Sequence, residues 1–306
     1  MRRYNHVAVL MGGWSAEREV SLRSGAGCAD ALEQAGYKVT RVDVGRNLAE
    51  RLRELKPDCC FNALHGRWGE DGCVQGLLEV LGIPYTHSGV LASALAMNKV
   101  RAKLARAAAG VPVASGVTIS RDEALKDHGL EPPYVAKPIA EGSSVGVVIV
   151  SSGANRPPEA IGQIATLEGN IMLETFVAGY ELTCSVVGDR VTEIIDIVPA
   201  ENLTFYDYEA KYAPGGSKHI LPAKLPADVY VAIQQHTLAA HQALGCRGVS
   251  RADFRYDPAK GELVCLEVNT QPGMTGTSLV PELAAHWGWS FPDLVSWMVE
   301  DASTDR

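Results

Sequence analysis

The chain of 306 residues lacks any uninterrupted apolar run of the roughly 18 residues needed to span a membrane. It is also short of positive charge: 28 lysines and arginines face 36 aspartates and glutamates, a net charge of -8. A phosphate backbone is bound by a basic face that releases counterions, so this balance argues against a nucleic-acid partner. No signal peptide is expected, because Gly12 and Gly13 cut short the first apolar run and no small-residue cleavage site follows. The seven cysteines are odd in number and scattered, and the one adjacent pair, Cys59 and Cys60, lies on a strand-like segment whose side chains alternate. They read as reduced core filling in a cytoplasmic protein, not a disulfide frame or a zinc site. Also missing are the glycine-lysine signature of a P-loop and, in GGWSAE at residues 12–17, the third glycine of a dinucleotide fingerprint. An NAD-linked dehydrogenase, suggested by Asp43 after the first βαβ unit, loses ground on that account.

What is present is 46% hydrophobic residues, enough for two or three packed domains. HVAVLM (6–11), YKVTRVDVG and CCFNAL read as strands that alternate with helical segments ending at Gly36, before Pro57 and at Gly82. That alternation predicts a parallel, doubly wound sheet, with ligands at the carboxyl ends of its strands, near 12–17 and 65–71. A boundary is expected near residue 95, followed by a basic helix whose Lys99, Arg101, Lys103 and Arg106 read as one solvated face. Strand-like segments, an antiparallel hairpin, a long polar stretch from Pro199 to Pro222, a further helix, a second hairpin and a terminal helical segment complete the chain. A loop of that length in a compact domain is usually functional.

The second hairpin carries the most chemistry. Period-2 alternation puts Ala252, Phe254 and Tyr256 on one face and Arg251 and Asp253 on the other; on the partner strand it sets Val264, Leu266 and Val268 against Glu267 and Asn269. Two carboxylates and an amide oxygen converging on one surface are hard ligands suited to Mg²⁺, and an arginine beside them can stabilise developing negative charge. A solvated strand face with a surface ion pair fits the same pattern. EGSSVG at 141–146 is either a loop that folds over phosphates or an ordinary turn. Lys137 sits in an apolar strand, where its ammonium needs an anion such as a nucleotide phosphate or else an edge position reaching water. Glu17 reads as part of the first turn of a helix capped by Ser15, and His65 as a site residue or a polar turn.

Six segments, GGWSAEREVSLRSG, ALHGRWGEDG, KPIAEGSSVG, FYDYEAKY, RADF and EVNTQPGMTGTSLVP, follow one another in an order that resembles the D-alanine–D-alanine ligases along nearly the whole chain. The resemblance implies an ATP-grasp fold of α/β and α+β class: a Rossmann-like domain at 1–95, a central domain at 96–178 and a C-terminal domain at 179–306 with a lid at 199–222, ATP lying between the last two. It implies an ATP-dependent ligase that makes D-alanyl-D-alanine for peptidoglycan precursors through an acyl phosphate, a cytoplasmic homodimer using two Mg²⁺ or Mn²⁺. Lys99 and Lys137 would contact ATP phosphates, Glu174 and Glu181 adenine and ribose, and Ser143 the loop over the nucleotide. Asp253, Glu267 and Asn269 would hold the metal. Glu17 would bind the first D-alanine's ammonium and His65 lie near its carboxylate; Arg251 and Gly273 would form the oxyanion site, and Ser278 and Leu279 receive the second D-alanine. Tyr206, Lys211 and Tyr212 would sit on the lid. Two positions depart from the pattern, Thr175 where several relatives carry lysine and Trp68 where glycine is common. The alternatives are a D-alanine–D-lactate ligase, disfavoured by the tyrosine of AKY, and a catalytically idle nucleotide-binding protein on the same fold.

Overall fold

The computed structural model describes residues 2–142, 146–199 and 216–305. β1 (His6–Met11) lies between β2 (Lys38–Asp43) and β3 (Cys59–Asn62) in a parallel sheet of order β2-β1-β3. Its apolar run is needed on both sides. Val7 and Val9 pack with Cys28, Ala29 and Leu32 of α1 (Arg18–Gln34), whereas Ala8 and Leu10 pack with Leu48 and Leu52 of α2 (Leu48–Leu55) and Leu78 of α3 (Cys73–Leu81). Burial on both faces is what a parallel sheet covered by crossover helices requires. Cys59 and Cys60 divide between the same two cores, but Cys73 is exposed, so core filling accounts for six of the seven free cysteines.

α4 (Val90–Met97) contains residue 95, and the chain turns at Asn98, whose side chain accepts the Arg101 amide and caps α5 (Lys99–Ala108). The solvated face expected for α5 is only partly so. Ala102 and Arg106, four residues apart, form its buried stripe, and the Arg106 guanidinium donates to the carbonyls of Cys265 (2.7 Å) and Leu266 (3.0 Å).

An antiparallel sheet of order β4-β7-β5-β6 follows, made of β4 (Gly116–Ser120), β5 (Tyr134–Lys137), β6 (Val148–Val150) and β7 (Asn170–Thr175). α6 (Arg121–Lys126) begins at a Ser120/Glu123 capping box. The third sheet, β10-β9-β8-β11-β12, combines β8 (Tyr180–Val187), β9 (Arg190–Pro199), β10 (Ser217–Ile220), β11 (Val249–Asp257) and β12 (Glu262–Asn269), with α7 (Ala227–Ala243) packed on it. Two helices, α8 (Leu279–His286) and α9 (Phe291–Asp301), form the terminal segment; α9 returns to the first sheet, where Val295, Met298 and Val299 join the core of Val7 and Val9. The three-layered first unit and the third sheet thus share a core, and the ends of β1 and β3 face the end of β12.

Candidate functional site

Two cavities meet on a ridge formed by Lys99, Glu141 and Glu267, which line both. The first, about 950 Å³, is walled by Glu17 after β1, His65 and Glu70 after β3, Arg251 of β11, Asn269 of β12 and the following loop with Gly273, Thr275, Ser278 and Leu279. The second, about 720 Å³, lies between the second and third sheets and is bounded by Val135, Lys137, Glu174, Thr175, Phe176, Val177, Arg255 and Leu266. A polar chamber opening onto an apolar slot suits a small charged substrate beside a planar ring.

The polar chamber is built from strand ends. Gly12 and Gly13 leave β1 at φ +77 and +74, and the chain reaches α1 with Glu17 as its N-cap instead of in its first turn. Ser15 does not cap that helix. Its hydroxyl donates to the His65 carbonyl (2.7 Å) and accepts from the Glu17 amide (3.2 Å), tying the two loops together. The Glu17 carboxylate is so close to two backbone segments that a Cβ on Gly66 would fall 2.5 Å, and one on Gly142 2.9 Å, from its Oε2. His65 is buried; its Nε2 lies 2.9 Å from the Ser24 hydroxyl and its Nδ1 3.2 Å from Glu70 Oε1. On the far wall Ser278 is the N-cap residue of α8, its hydroxyl accepting from the Thr275 amide (2.9 Å), and a Cβ on Gly273 would crowd that hydroxyl at 2.9 Å. Gln271 is buried and bridges the sheets: it accepts from Asn62 Nδ2 at 2.6 Å and donates to the Leu64 carbonyl.

In the hairpin, Asp253 stands opposite Glu267 and Arg251 opposite Asn269. The alternation expected on β12 breaks there. The register shifts between Asp253 and Phe254, so Phe254 pairs with Cys265 and Leu266 is the extra residue of a bulge. Cys265 therefore shares the core with Val268, and Val264 and Leu266 turn to the opposite side beside Val177. Leu266 and Glu267, adjacent in sequence, both line the apolar slot. Arg251 grips Asp253 through two hydrogen bonds, and Thr183 donates to the same carboxylate at 2.7 Å.

Three lysines converge on the ridge and slot. Lys99 donates to the Glu141 carbonyl and lies 3.8 Å from Glu267 Oε2. Lys137 is buried on β5, an interior strand, so it is not an edge lysine reaching water; its anion is Glu174 of β7. Lys103, expected on a solvated face, donates to the other Glu174 oxygen at 2.8 Å. Burial opposes ionisation of Glu174, yet Lys137 and Lys103 hold its carboxyl below the ordinary carboxylate range. Glu181 and Asp253 line neither cavity; Glu181 is bound by Arg255 at 3.0 Å, and Arg255 reaches the slot.

The structure thus gathers Glu17, His65, Lys99, Lys137, Glu174, Arg251, Glu267, Asn269, Gly273, Ser278 and Leu279 around two connected cavities. Ser143, Tyr206, Lys211 and Tyr212 lie outside the described residues. Asp253, Glu267 and Asn269 offer only oxygens from neighbouring strands, a donor set that fits a hard divalent cation. Glu70, Lys103, Arg106, Gln271 and Arg255 escaped sequence reasoning. Only Arg106 left a periodic trace, its spacing from Ala102.

Family models described as D-ala D-ala ligase N-terminus and D-ala D-ala ligase C-terminus match residues 46–88 and 106–300. The chain is 62% identical over 310 residues to a D-alanine–D-alanine ligase of Parvibaculum lavamentivorans, covering all of both chains. It is 63% identical over 305 residues to the ligase so named from Xanthobacter autotrophicus, covering 98% of this chain and 99% of that one. Among solved structures, D-alanine–D-alanine ligase from Bacillus anthracis superposes with a TM-score of 0.79 at 30% identity, over 97% of each chain, and the same enzyme complexed with ATP does so at 28% identity. A D-Ala:D-Ser ligase, VanG from Enterococcus faecalis, gives 0.77 at 28% identity, over 97% of this chain and 99% of that one.

Proposed function

The chain belongs to the D-alanine–D-alanine ligase family, with its ATP-grasp fold, and from that premise we propose how its two cavities divide the work. It is an ATP-dependent ligase that joins two D-alanines. The polar chamber takes the amino acids and the apolar slot the nucleotide, so that ATP's terminal phosphate reaches the ridge of Lys99 and Glu267. The observation that carries this assignment is the ridge itself, where the two cavities open into each other.

A carboxylate does not acylate an amine unactivated. The first D-alanine, its ammonium on Glu17 and its carboxylate near His65, attacks the γ-phosphorus of ATP, giving ADP and an acyl phosphate. The neutral amine of the second, held at Ser278 and Leu279, attacks the carbonyl, and the tetrahedral intermediate expels phosphate. Arg251 and the Gly273 amide receive the charge on that oxygen. Lys99 and Lys137 bind phosphates, and Glu174 and Glu181 the adenine and ribose. Ser143, Tyr206, Lys211 and Tyr212 belong to the segments that cover the site in this reading. Asp253, Glu267 and Asn269 would hold two Mg²⁺ or Mn²⁺, which supply charge neutralisation at the phosphates.

The same reading divides the chain at about residues 95 and 178, places it in the cytoplasm and makes it a homodimer. The test is ADP release with ATP, Mg²⁺ and D-alanine, L-alanine or D-alanine plus D-lactate. D-alanine alone should sustain turnover and yield dipeptide; turnover that needs D-lactate would assign the hydroxy acid as second substrate.

A further inference from the structure

The loop from Gly66 to Gly72 makes unusual backbone demands. Gly66 and Gly72 sit at φ +71 and +91, and a Cβ on Gly69 would fall 2.3 Å from that of Leu64. Each of these demands is met by glycine. The fourth special position is not: Trp68 stands at φ +79, a conformation that costs a bulky L-residue energy and that glycine would adopt freely. Something must hold the tryptophan there. Its ring packs against Trp14, with centroids 5.7 Å apart and planes tilted by 42°. The Arg67 guanidinium lies 4.7 Å from the Trp68 centroid and that of Arg46 5.6 Å from Trp14, so each ring carries a cation on its flank.

The position of the pair matters. Trp14 precedes Glu17 by three residues and Trp68 follows His65 by three, on the two loops already joined by Ser15 and crowded together where Gly66 meets the Glu17 carboxylate. Beneath the rings lies a small cavity of about 230 Å³ that reaches His65. We propose that Trp14 and Trp68 form an aromatic clasp that sets the separation of these loops, and that both are positioning residues for the first D-alanine. The clasp rests on the assignment of Glu17 and His65 to that substrate. It also gives a reason for a tryptophan where glycine is the easier residue: lost backbone ease is offset by a fixed subsite.

The test is Trp68→Gly, Trp14→Ala and their combination, with KM measured separately for the first D-alanine, the second and ATP, alongside thermal unfolding. Aromatic pairs couple strongly enough to shift a binding constant by about three- to tenfold. Each single variant should raise the first-site KM by that factor with kcat, the second-site KM and the ATP KM unchanged. The double variant should be no worse than the worse single, and Trp68→Tyr should restore most of the loss. The unfolding temperature of Trp68→Gly should stay at or above the parent's, because glycine relieves the strain that tryptophan bears. An unchanged first-site KM, a rise shared equally by all three substrates, or additive single effects would each overturn the clasp. Glu17→Gln separates the two readings: if it raises the first-site KM and Trp68→Gly does not, the clasp alone fails, and if neither does, the subsite assignment fails with it.

Discussion

Arg251 and Asp253, two residues apart on β11, hold each other edge to edge, with Nε 2.9 Å from Oδ1 and Nη2 2.8 Å from Oδ2. The arginine proposed for the oxyanion and the aspartate proposed for the cation are thus neutralised by one another in this arrangement. A divalent ion held by Asp253 would compete with Arg251 for that carboxylate and would free guanidinium hydrogen-bonding capacity toward the chamber. In the proposed roles, charge for the metal and charge for the oxyanion would then become available together.

Arg251→Ala is therefore expected to lower kcat by about 10²–10³ while raising the ATP KM little, as for loss of one donor to an oxyanion. Steady-state kinetics in D-alanine and ATP check this. An unchanged kcat with a raised ATP KM would move the arginine to the nucleotide.

Activity should need Mg²⁺ or Mn²⁺ and survive a zinc-selective chelator, since Asp253, Glu267 and Asn269 present oxygens alone. Glu267→Gln should fold normally by circular dichroism and lose most turnover. Parental turnover in that variant would remove Glu267 from the metal set.

Replacing Arg106 by Met leaves the Cys265 and Leu266 carbonyls without their donor, a loss of about 1–3 kcal/mol in stability. Because those carbonyls flank the bulge that aims Leu266 into the slot, the ATP KM should rise in the same variant. Denaturant unfolding and ATP titration give the two readings, and an unchanged ATP KM would show that the bulge holds itself.

The acid limb of stability should carry the signature of His241. Burial lowers its pKa from 6.5 to about 4, and its Nδ1 lies 2.7 Å from the Ser250 hydroxyl. The unfolded chain binds the proton first, so the contribution is fully present above pH 6.5 and is lost as pH falls through the window down to about 4. A shift of that size corresponds to roughly 3 kcal/mol. His241→Gln keeps a polar partner for Ser250 and should flatten unfolding free energy across that window. A parental slope would assign the acid limb to other groups.

The strands and crossover helices of the first unit were readable because each is local: VAVL must be buried on both faces, and Gly36 and Gly82 stop helices where their φ values turn positive. The hairpin was half readable. Alternation located Asp253 and Glu267 correctly, but it assigned Leu266 to the core because a bulge leaves no periodic trace. Lys103 and Arg106 were misread for another reason. Their partners, Glu174 and the carbonyls of β12, lie about 70 and 160 residues along the chain, and no helical period announces a contact at that separation. The segments with Ser143 and Tyr212 read from the residues alone only as a phosphate loop or turn and as a long polar stretch, and the roles of the two residues came through the resemblance.

The bulge at Leu266 acts as a change of phase. Before it, β12 sends Val264 toward the apolar slot and Cys265 to the core; after it, the same parity would have sent Glu267 to the core and Val268 to the ligands. One inserted beat reverses that, so the strand feeds a lipophilic wall with one half and an ionic one with the other. Were the strand to run through this point as a regular ladder with every residue kept, its length and composition would be unchanged while everything downstream exchanged faces, burying Glu267 and Asn269 and turning Val268 to the side where they now stand. A chain so altered would still have every residue of the metal set and no means of using it.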